Sequence, residues 1–210
     1  MIRYTLLGDG SSDRTLLKII KWILSDRLPN IPVTETFANF NFLHKPPRML
    51  EERIIKALEL WPCDILFIHR DAEQTKDIDD ILKSRNNEIR IAALNAGCKY
   101  VAIIPVKMME TWLLTDEKAI LKAAGNANNL IQLPKIIKLE TLANPKEELH
   151  EQLKKASGLK GRRLDSFNVH QAVHLVAEHT TDFSSLRQLK AFKSFEEDLV
   201  LVLKELKYMD

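Results

Sequence analysis

The chain has 210 residues, of which 45% are hydrophobic and 29% charged, so it is long enough to bury a substantial core. Its formal net charge of +2 excludes a strongly basic nucleic-acid coat protein, so any nucleic-acid site has to be a local patch. No apolar run approaches the ~20 residues that cross a bilayer, and the first residues show no secretory signal. We therefore expect a soluble, cytoplasmic protein without a membrane partner.

Short apolar runs alternate with helical patterns along the first half of the chain. They predict strands at residues 2–7, 33–38, 65–68 and 100–105. Helices are expected from near Asp13, with Ser12 as N-cap, and over residues 48–60 and 81–96. The run at 65–68 is wholly apolar, which is typical of a strand buried on both faces. This alternation predicts right-handed crossovers and an α/β fold with a Rossmann-like, mostly parallel sheet.

After Glu110 the strand signals stop. Helical patterns cover residues 111–124, 145–156, 169–178 and 192–206, and Asn144 is a suitable N-cap for the second of them. We therefore expect an α/β core over residues 1–116 and a helical C-terminal section over residues 117–210 packed on it.

Three acids each follow a predicted strand. Asp9 comes after the first, Asp71 after the third and Glu110 after the fourth. The carboxyl ends of parallel strands share one edge of the sheet, and ligands bind at that edge in open α/β folds. Converging carboxylates there indicate a divalent metal, Mg²⁺ or Mn²⁺, and phosphate chemistry.

The loop of residues 8–13 joins the first strand to the first helix. It has neither the Gly-Lys-Ser/Thr of a P-loop nor the three spaced glycines of a dinucleotide fold. Its two acids would repel a bare phosphate, but a cation would remove that objection, so Asp9 and Asp13 are candidate metal-facing carboxylates. The alternative is structural: Asp9 shapes a turn and Asp13 favours the helix N-terminus.

The third predicted strand is followed by a second acidic motif. Alternate residues of an extended chain point the same way, so His69, Asp71 and Glu73 could share a face. One imidazole and two carboxylates suit Mg²⁺ or Mn²⁺, and Mn²⁺ tolerates the nitrogen better. The alternative is a hydrogen-bonded core histidine followed by a solvated charged loop.

Basic residues cluster near two glycines in the C-terminal section. The cluster comprises Lys154, Lys155, Lys160, Arg162 and Arg163. The glycines would let backbone amides approach an anion, so the segment is a candidate clamp for a phosphodiester backbone. An ordinary solvated surface is the alternative. Arg70 and Lys107, beside the acids, are further candidates for phosphate contact.

The motifs together resemble TOPRIM (topoisomerase–primase) proteins, and above all a family of uncharacterised bacterial TOPRIM-like proteins distantly akin to OLD-type nucleases. Asp9-Gly10-x-x-Asp13 is similar to the acid-glycine loop, with Asp in place of Glu. His69-x-Asp71 is similar to the D-x-D motif, with His in place of one Asp. The stretch Glu110-Thr111-Trp112-Leu113-Leu114 resembles the family's E-[AT]-W-L-L signature. Further similar stretches are Ala124-Gly125-Asn126, Asn144-Pro145-Lys146, Ser157-Gly158-x-x-Gly161-Arg162-Arg163 and Phe183-Ser184-x-Leu186.

The resemblance implies site roles. Asp9 would be the acid–base or metal residue and Asp71 a metal ligand, and Glu73 and Glu110 could complete a site in which His69 has replaced a carboxylate. The implied activity is that of a divalent-metal-dependent phosphodiesterase or nuclease acting on nucleic acid, with a role in defence against mobile elements. Two alternatives remain open. One is a non-catalytic module that binds nucleic acid, a nucleotide or a protein, and the other is nucleotide-dependent phosphoryl transfer.

Overall fold

The computed structural model describes residues 1–72, 77–94 and 96–209. Within them lies a four-stranded sheet in the order β2-β1-β3-β4, and every neighbouring pair of strands is parallel. The strands are β1 (Ile2–Leu7), β2 (Val33–Phe37), β3 (Ile65–His69) and β4 (Tyr100–Ile103). The predicted α/β fold with a mostly parallel, Rossmann-like sheet is confirmed.

Helices connect the strands and follow the last one, with loops between them. They are α1 (Leu16–Arg27), α2 (Leu50–Leu60), α3 (Ile78–Ala93), α4 (Glu110–Leu113), α5 (Glu117–Ala123), α6 (Pro145–Ser157), α7 (Arg162–Asp165), α8 (Val169–His179) and α9 (Lys190–Glu205). Short 3₁₀ helices lie at Ser11–Thr15, Ile136–Thr141 and Ser184–Gln188. None of the described helices combines the length and apolar character needed to cross a bilayer.

The core lies between the sheet and its helices. All of β3 is buried, which requires cover on both faces of the sheet. A chain of edge-on aromatic contacts runs from Tyr4 to Phe67 and on to Phe195 of α9. Phe195 in turn contacts Trp112 of α4, whose side chain is completely buried. Trp112 is therefore a core anchor two residues after Glu110.

One predicted helix is two helices. The pattern at 111–124 predicts a continuous helix, but α4 ends at Leu113 and α5 begins at Glu117. Asp116 adopts an extended backbone, and its side chain accepts a hydrogen bond from the amide of Ala119, so it caps a new helix. The sequence pattern missed this N-cap because apolar residues continue on both sides of the break.

Helix starts also differ from the predicted ones. Ser12 is not an N-cap, because the chain already turns as a 3₁₀ helix at Ser11 and Gly10 precedes that turn. Helix α3 runs from Ile78 to Ala93 rather than over 81–96, because Asp77 caps it three residues earlier. By contrast, Asn144 caps α6 as predicted, by accepting a hydrogen bond from the amide of Glu147.

Candidate functional site

The strand order creates a crevice at the carboxyl edge of the sheet. From β1 the chain crosses to β2 on one side, and it then returns to β3 on the other side of β1. In parallel α/β sheets such a reversal of strand order leaves a crevice in which ligands bind. Leu7 and Ile68 are paired at this edge. The loop at 8–13 and the segment 69–71 therefore leave the sheet side by side.

The first loop is shaped by Asp13. Its Oδ2 accepts hydrogen bonds from the amides of Asp9 at 2.7 Å and Gly10 at 2.9 Å. A Cβ on Gly8 would lie only 2.7 Å from the Asp13 side chain, so this close approach requires glycine. Asp13 thus has a structural role, which was the alternative to metal binding. Its other oxygen, Oδ1, lies 3.8 Å from Nε2 of His69.

His69, the last residue of β3, is almost completely buried. Its Nδ1 lies 3.1 Å from the carbonyl oxygen of Ile103. A carbonyl oxygen only accepts, so Nδ1 carries a proton, and Nε2 of the neutral ring carries a lone pair. That lone pair faces Asp71 Oδ1 at 3.3 Å and Asp13 Oδ1 at 3.8 Å.

This arrangement calls for a positive charge between the three groups. Neither Nε2 of His69 nor Oδ1 of Asp71 has a well-aligned hydrogen-bond partner among the described residues. Burial lowers the pKa of His69, but the contact with Asp71 and the charge of Asp13 outweigh burial and leave the pKa raised. Either a proton on Nε2 or a bound cation satisfies the two carboxylates.

Asp9 is turned toward two arginines. Its Oδ1 lies 2.9 Å from Nη1 of Arg53 and 3.4 Å from Nη1 of Arg70. Arg53 also donates a hydrogen bond to the carbonyl of Gly8, and Arg70 binds Glu88 of α3 at 3.2 Å. The Asp9 carboxylate is thus held by guanidinium groups, and its predicted role as a metal ligand stays a prediction.

Glu110 is the first residue of α4. Its side chain is buried although it has no salt-bridge partner within 4.0 Å among the described residues. Burial raises its pKa, the charge of Lys146 on α6 lowers it, and the charges of Asp71 and Asp13 raise it again, so that the net shift is upward. The charges of Asp71 and Asp13 therefore act on Glu110 across the site.

The predicted basic residues are placed in different ways. Lys107 lies in the turn before α4 with a φ of +66°, a backbone conformation that is rare outside glycine. Lys160, Arg162 and Arg163 are exposed, and the segment predicted as a loop forms the short helix α7. No described residue forms an ion pair with these three cations, so they are available to an anion in solution.

The described residues contain no group of three or more His, Cys, Asp or Glu arranged to hold a metal ion. Glu73, a predicted ligand, lies outside the described residues. His69 Nε2 and Asp71 Oδ1 lie 3.3 Å apart. This separation is close to the distance of about 3 Å between neighbouring ligands of an octahedral metal ion, so the two atoms are spaced as a pair of such ligands would be. A further side chain, such as Asp13 or Glu110, would have to turn toward the pair.

Sequence reasoning missed two residues of the site. Arg53 comes from α2, far along the chain from its partner Asp9, and nothing in an amphipathic helix pattern indicates which surface cation reaches the sheet edge. Lys146 acts on Glu110 from α6. Its signal was present, since it stands next to the Asn-Pro start of a helix and such an N-terminus attracts anions.

Comparison with models of known protein families, with curated proteins and with solved structures found no match to this chain.

Proposed function

We propose that the crevice between β1 and β3 is the site of a divalent-metal-dependent phosphodiesterase or nuclease. The observation that carries the proposal is the buried Nε2 of His69, whose lone pair faces the carboxylates of Asp71 and Asp13 at a topological switch point. A buried Nε2 lone pair facing two carboxylates is costly unless a proton or a cation joins them, and a metal ion bound there would do so. The cations nearby, Arg53, Arg70 and Lys146, suit a substrate with negative charge.

Each side chain has a role in this proposal. His69 and Asp71 would hold Mg²⁺ or Mn²⁺, with Asp13 or Glu110 as a further ligand; when bound, the metal would polarise a phosphoryl oxygen and lower the pKa of water. Glu110 keeps its proton to a higher pH than an exposed glutamate, so it suits a general acid that protonates the leaving oxygen when it does not bind metal.

The two arginines that hold Asp9 indicate where the phosphate would lie. Arg53 and Arg70 converge on one oxygen of the Asp9 carboxylate, which gives a small anionic group two guanidinium partners. A phosphoryl oxygen offers the same charge and hydrogen-bonding geometry. Displacement by substrate would free Asp9 to accept a proton from the attacking water. Nucleic acid is the proposed partner, and a role in defence against mobile elements is proposed from the resemblance alone.

The test is a cleavage screen with labelled single- and double-stranded DNA and RNA, in Mg²⁺, in Mn²⁺ and in EDTA. We expect metal-dependent cleavage by the wild type and a loss of at least about 100-fold in Asp71→Ala, more than the loss of an outer-shell partner causes. The matched control is Glu59→Ala, which removes an exposed carboxylate from a surface pair on α2. Equal activity in wild type and Asp71→Ala would contradict the proposed site.

A second candidate is a non-catalytic module with the same fold. It is favoured by the contacts of two acids in the first loop, because Asp9, a predicted catalytic residue, is ion-paired with arginines and Asp13, a candidate metal-facing carboxylate, is bound to loop amides. This module would bind nucleic acid without cleaving it, with or without metal. Binding by the wild type that Asp71→Ala retains in full, together with no cleavage in any metal, would favour this candidate.

A further inference from the structure

A separate cavity of about 340 Å³ opens beside Asp9, at the carboxyl ends of β1 and β2. Its size is at the lower end of small-molecule sites, which measure about 300–1,000 Å³. It shares the loop at residues 8–11 with the proposed catalytic crevice. Its chemistry comes from one acid, two arginines, two carboxamides and an aromatic ring: Asp9, Arg48, Arg53, Asn39, Asn41 and Phe37.

Several polar groups of this cavity have no partner within the described parts of the chain. The guanidinium of Arg48 makes no hydrogen bond or ion pair there, and neither does the side chain of Asn41. Asn39 uses its Oδ1 to accept from the amide of Asn41 at 3.0 Å, which leaves its NH₂ group free. Arg53, in contrast, is already bound to Asp9 and partly neutralises it.

We propose that this cavity binds the nucleotide next to the phosphodiester bond in the crevice, with a phosphate on Arg48 and the base beside Phe37 and the two asparagines. The inference deepens the proposed function and rests on it for the class of ligand. Because the cavity and the crevice share the loop at 8–11, one nucleic-acid strand would occupy both.

The lining favours a nucleotide over other anions. Arginine matches phosphate oxygens in a bidentate fork, asparagine carboxamides pair with the edges of bases, and an aromatic ring offers a face for stacking. An acidic peptide or a sugar phosphate could bind the arginines and the asparagines, but neither need offer a flat aromatic face to the ring. Inorganic phosphate would use neither the asparagines nor the ring.

The experiment measures binding of adenosine 5′-monophosphate, ribose 5-phosphate and inorganic phosphate to the full chain by titration calorimetry. We expect adenosine monophosphate to bind more tightly than ribose 5-phosphate. Arg48→Ala should weaken both by about tenfold, the effect of one charge-assisted hydrogen bond. Asn39→Ala with Asn41→Ala should weaken only the nucleotide, by about fivefold. Arg48 and Asn41 are exposed, so these changes leave the core intact.

The matched control is Lys45→Ala, which removes a cation from the same loop. Lys45 lines the neighbouring cavity and not the proposed nucleotide site. Three outcomes would overturn the inference, even if the cleavage screen succeeds. They are weakening by Lys45→Ala equal to that by Arg48→Ala, equal affinity for adenosine monophosphate and inorganic phosphate, and no nucleotide binding at all. Nucleotide binding that is lost in Arg48→Ala but retained in Asp71→Ala supports it, even if no cleavage is found and the proposed function fails.

Discussion

At the scale of single residues, the acids at the sheet edge owe their place to the strands and their contacts to distant side chains. Asp9, Asp71 and Glu110 follow strands, and parallel strands place such residues at one sheet edge. Which groups they contact depends on side chains from distant parts of the chain, such as Arg53 and Lys146. The sequence therefore predicts the location of the site better than its chemistry.

The position of the Asp13 side chain depends on the absence of a Cβ at residue 8, and this dependence can be tested. Gly8→Ala would place a Cβ 2.7 Å from the Asp13 side chain, which would have to move and release the amides of Asp9 and Gly10. We expect a loss of about 2 kcal/mol in the free energy of unfolding, measured by urea denaturation. Gly10→Ala is the control, because the nearest atom to its Cβ would be at an ordinary 3.7 Å. Equal losses in both variants would contradict this account.

At the scale of elements, α6 carries a row of basic residues away from the site. Lys146, His150 and Lys154 lie four residues apart, so they follow one another at about 6 Å along one side of the helix. Burial lowers the pKa of His150, and the charges of His170, Lys146 and Lys154 lower it further, so it is neutral near neutral pH. The two lysines are exposed and carry the charge of this row.

We expect this row to contact the phosphates of a bound nucleic acid. Lys146→Ala and Lys154→Ala should each reduce the slope of log K against log salt concentration by about 1, as a lost phosphate contact does. The measurement is fluorescence anisotropy with a labelled oligonucleotide at several salt concentrations. Lys99→Ala is the control, since that lysine precedes β4 at the opposite edge of the sheet and is paired with Glu205 at 2.5 Å. A slope unchanged in the first two variants would sink the idea of a phosphate track along α6.

Elements themselves were predicted well where periodicity was uninterrupted. The patterns for α2, α6, α8 and α9 led to nearly correct bounds, because each has a regular apolar side. The break between α4 and α5 and the short helix α7 were not predicted. Both depend on local capping and tertiary contacts, since a helix of four residues has almost no intrinsic stability.

At the scale of the whole molecule, one buried acid joins three parts of the chain. Glu196 of α9 accepts hydrogen bonds from Arg27 of α1 at 2.6 Å and from Arg187 of the 3₁₀ helix Ser184–Gln188 at 2.8 Å. Arg187 also lies over the ring of Trp22, 5.0 Å from its centroid. The cluster ties the C-terminal helices to the first helix of the sheet.

This cluster makes stability depend on pH. Burial raises the pKa of Glu196, but the hydrogen bonds from Arg187 and Arg27 outweigh it and leave the pKa lowered. A lowered pKa contributes stability that is present above the usual glutamate range and is lost as the pH falls through the pKa of the folded state. Glu196→Gln should cost about 2 kcal/mol near neutral pH, less than a fully buried pair because the arginines are partly exposed.

Urea denaturation between about pH 7 and about pH 3 measures the effect, and we expect the difference between wild type and Glu196→Gln to shrink on acidification. Glu197→Gln, which changes the exposed neighbouring glutamate, should behave like the wild type. A difference that stayed constant across the pH range would show that the cost of Glu196→Gln is one of packing rather than charge.

The aromatic chain from Tyr4 to Trp112 has a consequence for synthesis on the ribosome. Its central link, Phe195, belongs to a helix made about ninety residues after β4, so the sheet emerges from the exit tunnel long before its cover exists. During that interval Phe67 and Trp112 lack this cover and present a hydrophobic surface, which is a target for holdase chaperones. Completion of the core around Phe67 and Trp112 is thereby postponed until translation has passed α9.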